Sequence, residues 1–340
     1  MKFQIWAPLA LLVLLASCNQ QKLQPSGLNG LSKQLSFEKV FDCVDTLSFP
    51  PSAVIGEVSK MVACHNSRYV LADNVSRKFY FFNADGKADW QFGRYGEGEG
   101  EFSDISDFSF SKDGYLFILD AILKRVTVLK DTAIVRTFAF NLGTSIWAED
   151  TSHIYVYDAS VVNDMENIFH YDWNGNLIGK FGRPSKATLL TRIPVSKGSV
   201  ILDEKKLYTL SATDYEIKRY EQTGEYVKSF AHLPDFYVSV SEIFKDSPSR
   251  EKLQKLTVSY PMLLANISGI KTIIVQVTHS GKGYLHLYDL EGKFIWGVKM
   301  PDSTYCVGAN DGFIYLLREE QSEKESPKVL IYAASQNRRL

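Results

Sequence analysis

FGRYGEGEGEFSDISDFSFSKDGYLFILD, residues 92–120, decides the reading of the fold. Its first half is a glycine-rich loop, Gly93 to Gly100. Its second half reads as a strand, the Asp113-Gly114 turn, a second strand and a closing Asp120. Asp-Gly between strand-like runs marks a hairpin, because both residues tolerate the left-handed backbone of such a turn. Weakened copies of this second half recur to the C-terminus, so the stretch belongs to a series of similar small sheets.

The series begins upstream with Tyr69 to Asp73, Lys78 to Phe82, the Asp85-Gly86 turn and Ala88 to Phe92. The second unit holds Tyr115 to Asp120, Arg125 to Leu129 and Ile134 to Phe140. The third has His153 to Asp158, Ile168 to Tyr171, Asn174-Gly175 and Leu177 to Phe181. The fourth has Lys206 to Leu210, Glu216 to Tyr220, Thr223-Gly224 and Tyr226 to Phe230. Lys271 to Val277, Tyr284 to Tyr288, Glu291-Gly292 and Lys293 to Val298 form the fifth, and Gly312 to Leu317 with Lys328 to Tyr332 the sixth. The turn glycines 86, 175 and 224 fit a period in the forties, as four-stranded blades require. The step to Gly292 is longer by about twenty residues, which places an insertion near 236–264. Within it, Ser247-Pro248 and Ser249 to Leu256 read as a short helix, either a packed decoration or a lid.

Unit six lacks a last strand, while Leu35 to Phe41 alternates as a strand with no unit of its own. Supplying the missing outer strand from there closes a ring and leaves no exposed edge. Middle strands such as Leu116-Phe117-Ile118-Leu119 are apolar on both faces, which suits sheets stacked between neighbours. The expectation is an all-β, six-bladed β-propeller of four-stranded antiparallel blades over 36–340, closed by the N-terminal strand. The competing architecture is a β-sandwich of many short strands, which the regular period disfavours.

Composition sets the outer bounds. The 340 residues carry a formal net charge of -1, which argues against nucleic acid as a partner. With 45% hydrophobic residues the chain buries a sizeable core, and 18 Tyr and 21 Phe favour strands. Residues 1–17 hold one Lys and an apolar run ending Leu15-Ala16-Ser17, which reads as a signal peptide too short to span a membrane. With Cys18 these residues resemble a bacterial lipobox, which implies lipidation of Cys18 and anchoring through acyl chains. Residues 18–35 then form a polar tether. Cys43, Cys64 and Cys306 remain, an odd number with no metal-ligand spacing, and read as buried strand residues.

Phe92-Gly93-Arg94, the run Gly96 to Phe102, Asp113-Gly114 and Asp120 resemble the NHL repeat. They resemble more closely the six-bladed propeller lipoproteins of Bacteroidetes, with Glu99 where those proteins often have Pro. Phe181-Gly182-Arg183 repeats the opening. The resemblance implies the fold, an envelope location as an outer-membrane lipoprotein, and binding of an envelope protein, peptide or glycan; it carries no catalytic residue. Asn19-Gln20-Gln21-Lys22 lacks the acidic cluster of surface-exposed relatives, so the periplasmic face is favoured.

Candidate ligand-binding residues are Arg94, Tyr95, Lys124, Asp120, Asp158 and Arg183. Turns after the second strand share a face with the blade-to-blade connections, and these residues gather there. The arginines suit carboxylates or phosphate, or else bridge neighbouring blades. Asp73, Asp120 and Asp158 equally suit side-chain turns at strand ends. The loop lacks the Gly-Lys-Ser/Thr ending of a phosphate cradle. No cofactor is expected; Glu97, Glu99 and Glu101 raise Ca²⁺ only as an unsupported option. The alternative function is a metal-dependent hydrolase or lyase, although the six histidines show no paired ligand spacing.

Overall fold

The computed structural model describes residues 36–49, 55–64, 68–83, 87–141, 143–158, 166–182, 198–211, 215–238, 258–267, 270–310, 312–318 and 327–334. Strand β1 (Phe41–Ser48) comes first. Blade one is β2 (Val58–Cys64), β3 (Arg68–Asp73), β4 (Lys78–Phe82) and β5 (Ala88–Phe92). Blade two is β6 (Asp107–Phe110), β7 (Tyr115–Asp120), β8 (Arg125–Lys130) and β9 (Ala133–Ala139). Blade three is β10 (Ser145–Ala148), β11 (Ile154–Tyr157), β12 (Ile168–Tyr171) and β13 (Leu177–Phe181). Blade four is β14 (Gly198–Asp203), β15 (Lys206–Ser211), β16 (Ile217–Glu221) and β17 (Tyr226–Phe230). Blade five is β18 (Val258–Ile267), β19 (Ile270–His279), β20 (Lys282–Asp289) and β21 (Phe294–Lys299). Blade six is β22 (Thr304–Asn310), β23 (Phe313–Arg318), β24 (Lys328–Ala334) and β1, in that order across the sheet.

Each blade is antiparallel throughout, and its first strand touches the first strand of both neighbours, β22 meeting β2. The ring is therefore closed. Its core is divided accordingly: every blade interface has its own apolar cluster, including the one between blades six and one, where Leu317 and Ile331 meet Leu71 and Phe82. Second strands such as β11 are buried along their whole length, because both faces of each sheet are covered. Outer strands such as β9 alternate exposed and covered residues.

The strand that closes the ring starts later than the sequence suggests. Phe37–Lys39 is a 3-10 turn, and the pairing strand is Phe41–Ser48. The physical reason is spacing: Phe37, Val40 and Phe41 are all buried, three and four residues apart, a helical pattern within an apparently alternating run. Phe37 packs edge-on against Tyr332 at 4.8 Å and so fixes where β1 begins. Cys43, Cys64 and Cys306 all lie in strands, but only Cys306 is buried, and none of the three is in a disulfide. Cys43 is exposed because β1 is an outermost strand. Residues 258–264, assigned above to the insertion, belong to the innermost strand of blade five. The suggested helix, Ser249 to Leu256, lies outside the described residues, as do the signal peptide, Cys18 and the tether.

Candidate functional site

The turn after each second strand and the connection to the next blade meet on one face of the ring, called here the upper face. Asp73 shows how the two are joined. Its Oδ1 accepts N–H groups from Gly56 and Glu57, just before β2, and from Val75 in the turn; its Oδ2 accepts the Ser76 hydroxyl. Asp120 repeats the device one blade on. Its Oδ2 accepts from Ser103 and Asp104, and its Oδ1 from Ile122 and Leu123. Both aspartates are fully buried, so they hold backbone together and present nothing to a ligand. Asp158 is buried at the equivalent strand end, with its own N–H on Asn167 O. Of the two roles open for these aspartates, the side-chain turn matches the geometry of Asp73 and Asp120.

The glycine loop is likewise tied down from within. Arg94 reaches Oε1 of Glu101 with Nε at 2.8 Å and Nη2 at 2.7 Å. Glu101 Oε2 accepts the Gly98 N–H at 2.8 Å. These partners, Gly98 first, hold the Glu101 carboxyl below its usual range. From β8, Arg125 crosses to the carbonyls of Glu97, Gly98 and Glu101. Arg94 thus closes its own loop while most of its side chain stays in solvent, and Tyr95 beside it is exposed. Lys124 is exposed on the turn after β7, in the left-handed region at φ 52°. Arg183 lies outside the described residues; the preceding Gly182 has φ 80°, close to Gly93 at φ 94°.

At the upper mouth of the central channel is a pocket of 440 Å³ lined from all six blades. Its wall is mixed, and the polar side chains in it have a structural task. Each innermost strand is a sheet edge whose free backbone groups need partners. Lys60 on β2 donates to Asp107 Oδ1 and to Phe108 O, both at 2.7 Å. Asp107 Oδ2 in turn accepts from the Ser145 hydroxyl at 2.7 Å and the Ile146 N–H at 2.9 Å. Ser109 accepts the Ala148 N–H, Ser199 donates to Met262 O, and Gln276 accepts the Cys306 N–H at 2.6 Å. A belt of side chains therefore stitches neighbouring blades around the channel. Its outer lip is apolar: Tyr305 and Val75, next to the lining residue Asn74, are exposed.

Residues 30–189, which hold β1 and the first three blades, match the family described as DUF5128, 6-bladed beta-propeller. The chain is a six-bladed β-propeller. A Bacteroides fragilis protein provisionally described as exported has a similar structure: TM-score 0.68 at 13% identity, over 89% of this chain and 98% of that one. A Bacteroides vulgatus member of the duf4221 family gives TM-score 0.56 at 10% identity, over 89% and 99%. A luciferin-regenerating enzyme gives 0.51 at 10%, over 86% and 96%. At such identities the likeness is one of fold. No curated protein matches the chain. No helix among the described residues is long and apolar enough to cross a membrane.

Among the described residues of the propeller, one set of side chains has metal-like grouping: Glu149, Asp150 and His153. It sits in the turn between β10 and β11, on the face opposite the channel mouth. Lys112 already lies 3.1 Å from Glu149 and 3.9 Å from Asp150, and His153 Nδ1 is 2.9 Å from Asp150. An ammonium therefore stands where a cation would.

A second polar constellation is buried between blades four and five of the propeller. Tyr215 hydrogen-bonds both Nδ1 of His286 and the Tyr288 hydroxyl, the latter at 2.6 Å. The His232 N–H donates to Tyr288 Oη at 3.0 Å. Burial, with His232 as a lesser contributor, pushes the His286 imidazole down to about 3. The unfolded chain therefore takes up a proton near 6.5 that the folded chain refuses. The contribution of His286 to stability is complete above that value and is lost as pH falls through it. Between pH 7 and 5 the expected loss is about 2 kcal/mol. Urea unfolding at the two pH values, on wild type and on His286→Phe, checks this: the pH-dependent loss should be smaller in the variant by about 2 kcal/mol, and an unchanged loss refutes it.

Proposed function

We propose that the propeller is a lipid-anchored envelope protein that receives a polypeptide segment at the upper mouth of its channel. The observation carrying this reading is the pocket of 440 Å³, whose wall of mixed polar and apolar groups meets an apolar lip at Tyr305 and Val75. A volume of that size accepts one or two side chains and no folded domain. Polar groups suit the main chain of such a segment, and the lip suits its apolar side chains. Lys60 is already paired with Asp107, which disfavours a polyanion. The address draws support from the lipobox-like sequence at Cys18 and from the similar Bacteroides fragilis protein described as exported. On this reading the chain sits at the outer membrane, facing the periplasm, with the bilayer reached only through the anchor.

Site-specific photocrosslinking in cells tests the binding mouth. A photoreactive phenylalanine in place of Tyr305 should capture a peptide or protein adduct. The same group in place of Tyr226, exposed on the opposite face, should not. Equal capture at both positions, or none at Tyr305, overturns the proposal; a saccharide adduct replaces the peptide with a glycan. Labelling with an alkynyl fatty acid tests the anchor: wild type should incorporate it and Cys18→Ser should not. Protease added to intact cells should leave the chain whole, and cleavage would put it on the outer surface.

A further inference from the structure

Blade five holds a second cavity, of 310 Å³, apart from the channel mouth. Its walls are aromatic. The His232 ring stacks on Phe294 at 3.7 Å, and Phe236 lies 4.7 Å from Tyr284. His286 lines the same space while being almost wholly buried.

The hydroxyl protons beneath the cavity have one arrangement that satisfies every group. The His232 backbone N–H can only donate, so Tyr288 Oη accepts it. Tyr288 then donates to Tyr215, and Tyr215 donates to His286 Nδ1. The reverse order would leave the Tyr288 proton without an acceptor in a site sealed from water. The imidazole is therefore neutral and carries its proton on Nε2. Among the described residues Nε2 has no partner. It faces Gly297, where an added Cβ would stand 3.3 Å from Nε2 and 3.0 Å from Cδ2. Tyr215 is itself held at φ 42°, a conformation rare for so bulky a residue. A left-handed residue recurs at this turn in blades one and two, Arg77 at φ 56° and Lys124 at φ 52°, so the blade turn fixes this backbone and here sets the Tyr215 hydroxyl against His286.

We propose that this cavity binds a small neutral aromatic compound through a hydrogen-bond acceptor, such as a carbonyl on a bicyclic ring, directed at His286 Nε2. Size and chemistry both lead there. The volume is roughly twice that of an apolar protein cavity that accepts benzene. The walls supply ring faces and edges for stacking. A carboxylate is disfavoured, because Nε2–H is a neutral donor and the lining cation, Lys299, is already held by Asp302 at 2.8 Å.

Ligand-observed NMR on the full chain provides the test, with 2-acetylnaphthalene as probe and 2-ethylnaphthalene as the control lacking an acceptor. The ketone should bind about fivefold more tightly, the worth of one net hydrogen bond. His286→Phe should abolish that preference. Gly297→Ala places a methyl against Nε2 and leaves the hydroxyl chain intact, so it should weaken both compounds at least tenfold. If His286→Phe does not fold, Gly297→Ala decides alone. Absence of ketone binding, no preference for the ketone, or affinity unchanged in Gly297→Ala overturns the proposal.

Discussion

Replacing Asp120 with alanine lowers the unfolding free energy by about 4 kcal/mol, as read from urea denaturation. The side chain is fully buried and accepts four backbone N–H groups, two from its own turn and two from the segment leading into β6. Alanine leaves all four donors short of an acceptor. Each buried donor without a partner costs about 1–3 kcal/mol, and water entering the gap recovers part of the total. Asp120→Asn should fall between, near 2 kcal/mol, because one oxygen survives while the amide turns two donors towards donors. Lys124→Ala on the same turn is the control; its side chain is exposed, and the change should stay within about 0.5 kcal/mol. The experiment separates the two roles that the sequence leaves open for Asp120. A ligand contact would leave stability intact when removed, so a loss below about 1 kcal/mol would overturn the structural assignment.

That ambiguity shows where the sequence is legible and where it stops. Second, third and fourth strands stand out because each combines long apolar runs with a turn glycine, and the period then counts the blades. Most innermost strands escape. β6, Asp-Phe-Ser-Phe, is legible from its alternation and the Asp113-Gly114 turn that follows it, whereas β10, Ser-Ile-Trp-Ala, has four residues, no alternation and no turn glycine after it. The closing strand was legible in role and misplaced in position, because Phe37, Val40 and Phe41 imitate a strand while packing as a helical turn. The site suffers from sequence distance. Lys60 and Asp107 belong to different blades and are 47 residues apart, so neither looks special until the ring brings them to 2.7 Å. His232 and His286 show no ligand spacing, yet their rings lie 5.9 Å apart because the connection leaving β17 passes beside β20 of the next blade. The glycine loop is conspicuous by composition, and the contacts that close it on itself, among Arg94, Glu101 and Arg125, are not legible from it.

The turn glycines make a stronger statement than hairpin chemistry alone, and Gly292→Ala should cost about 3 kcal/mol. Its φ of 81° contributes about 1 kcal/mol for any residue with a Cβ. The remainder comes from the neighbouring blade. A Cβ at Gly292 would stand 2.5 Å from Cδ1 of Phe230, at the end of β17, closer than real carbon contacts allow. The same arrangement recurs around the ring: Gly175 lies over Phe138, with 2.6 Å to its Cβ, and Gly224 over Phe181, with 2.8 Å to its Cγ. In each case the third turn of one blade rests on the aromatic residue of the preceding blade's last strand. Glycine is required there for close approach as well as for the left-handed backbone. Gly281→Ala isolates the backbone part, since its φ is 75° and nothing lies within 4 Å of the added carbon. It should cost about 1 kcal/mol, leaving about 2 kcal/mol for the blade contact. In a Phe230→Leu background the cost of Gly292→Ala should fall towards the Gly281 value, because the narrower side chain yields room. Equal costs at Gly292 and Gly281, or an undiminished cost in that background, would mean that the glycines serve their hairpins alone and that blade spacing is set elsewhere.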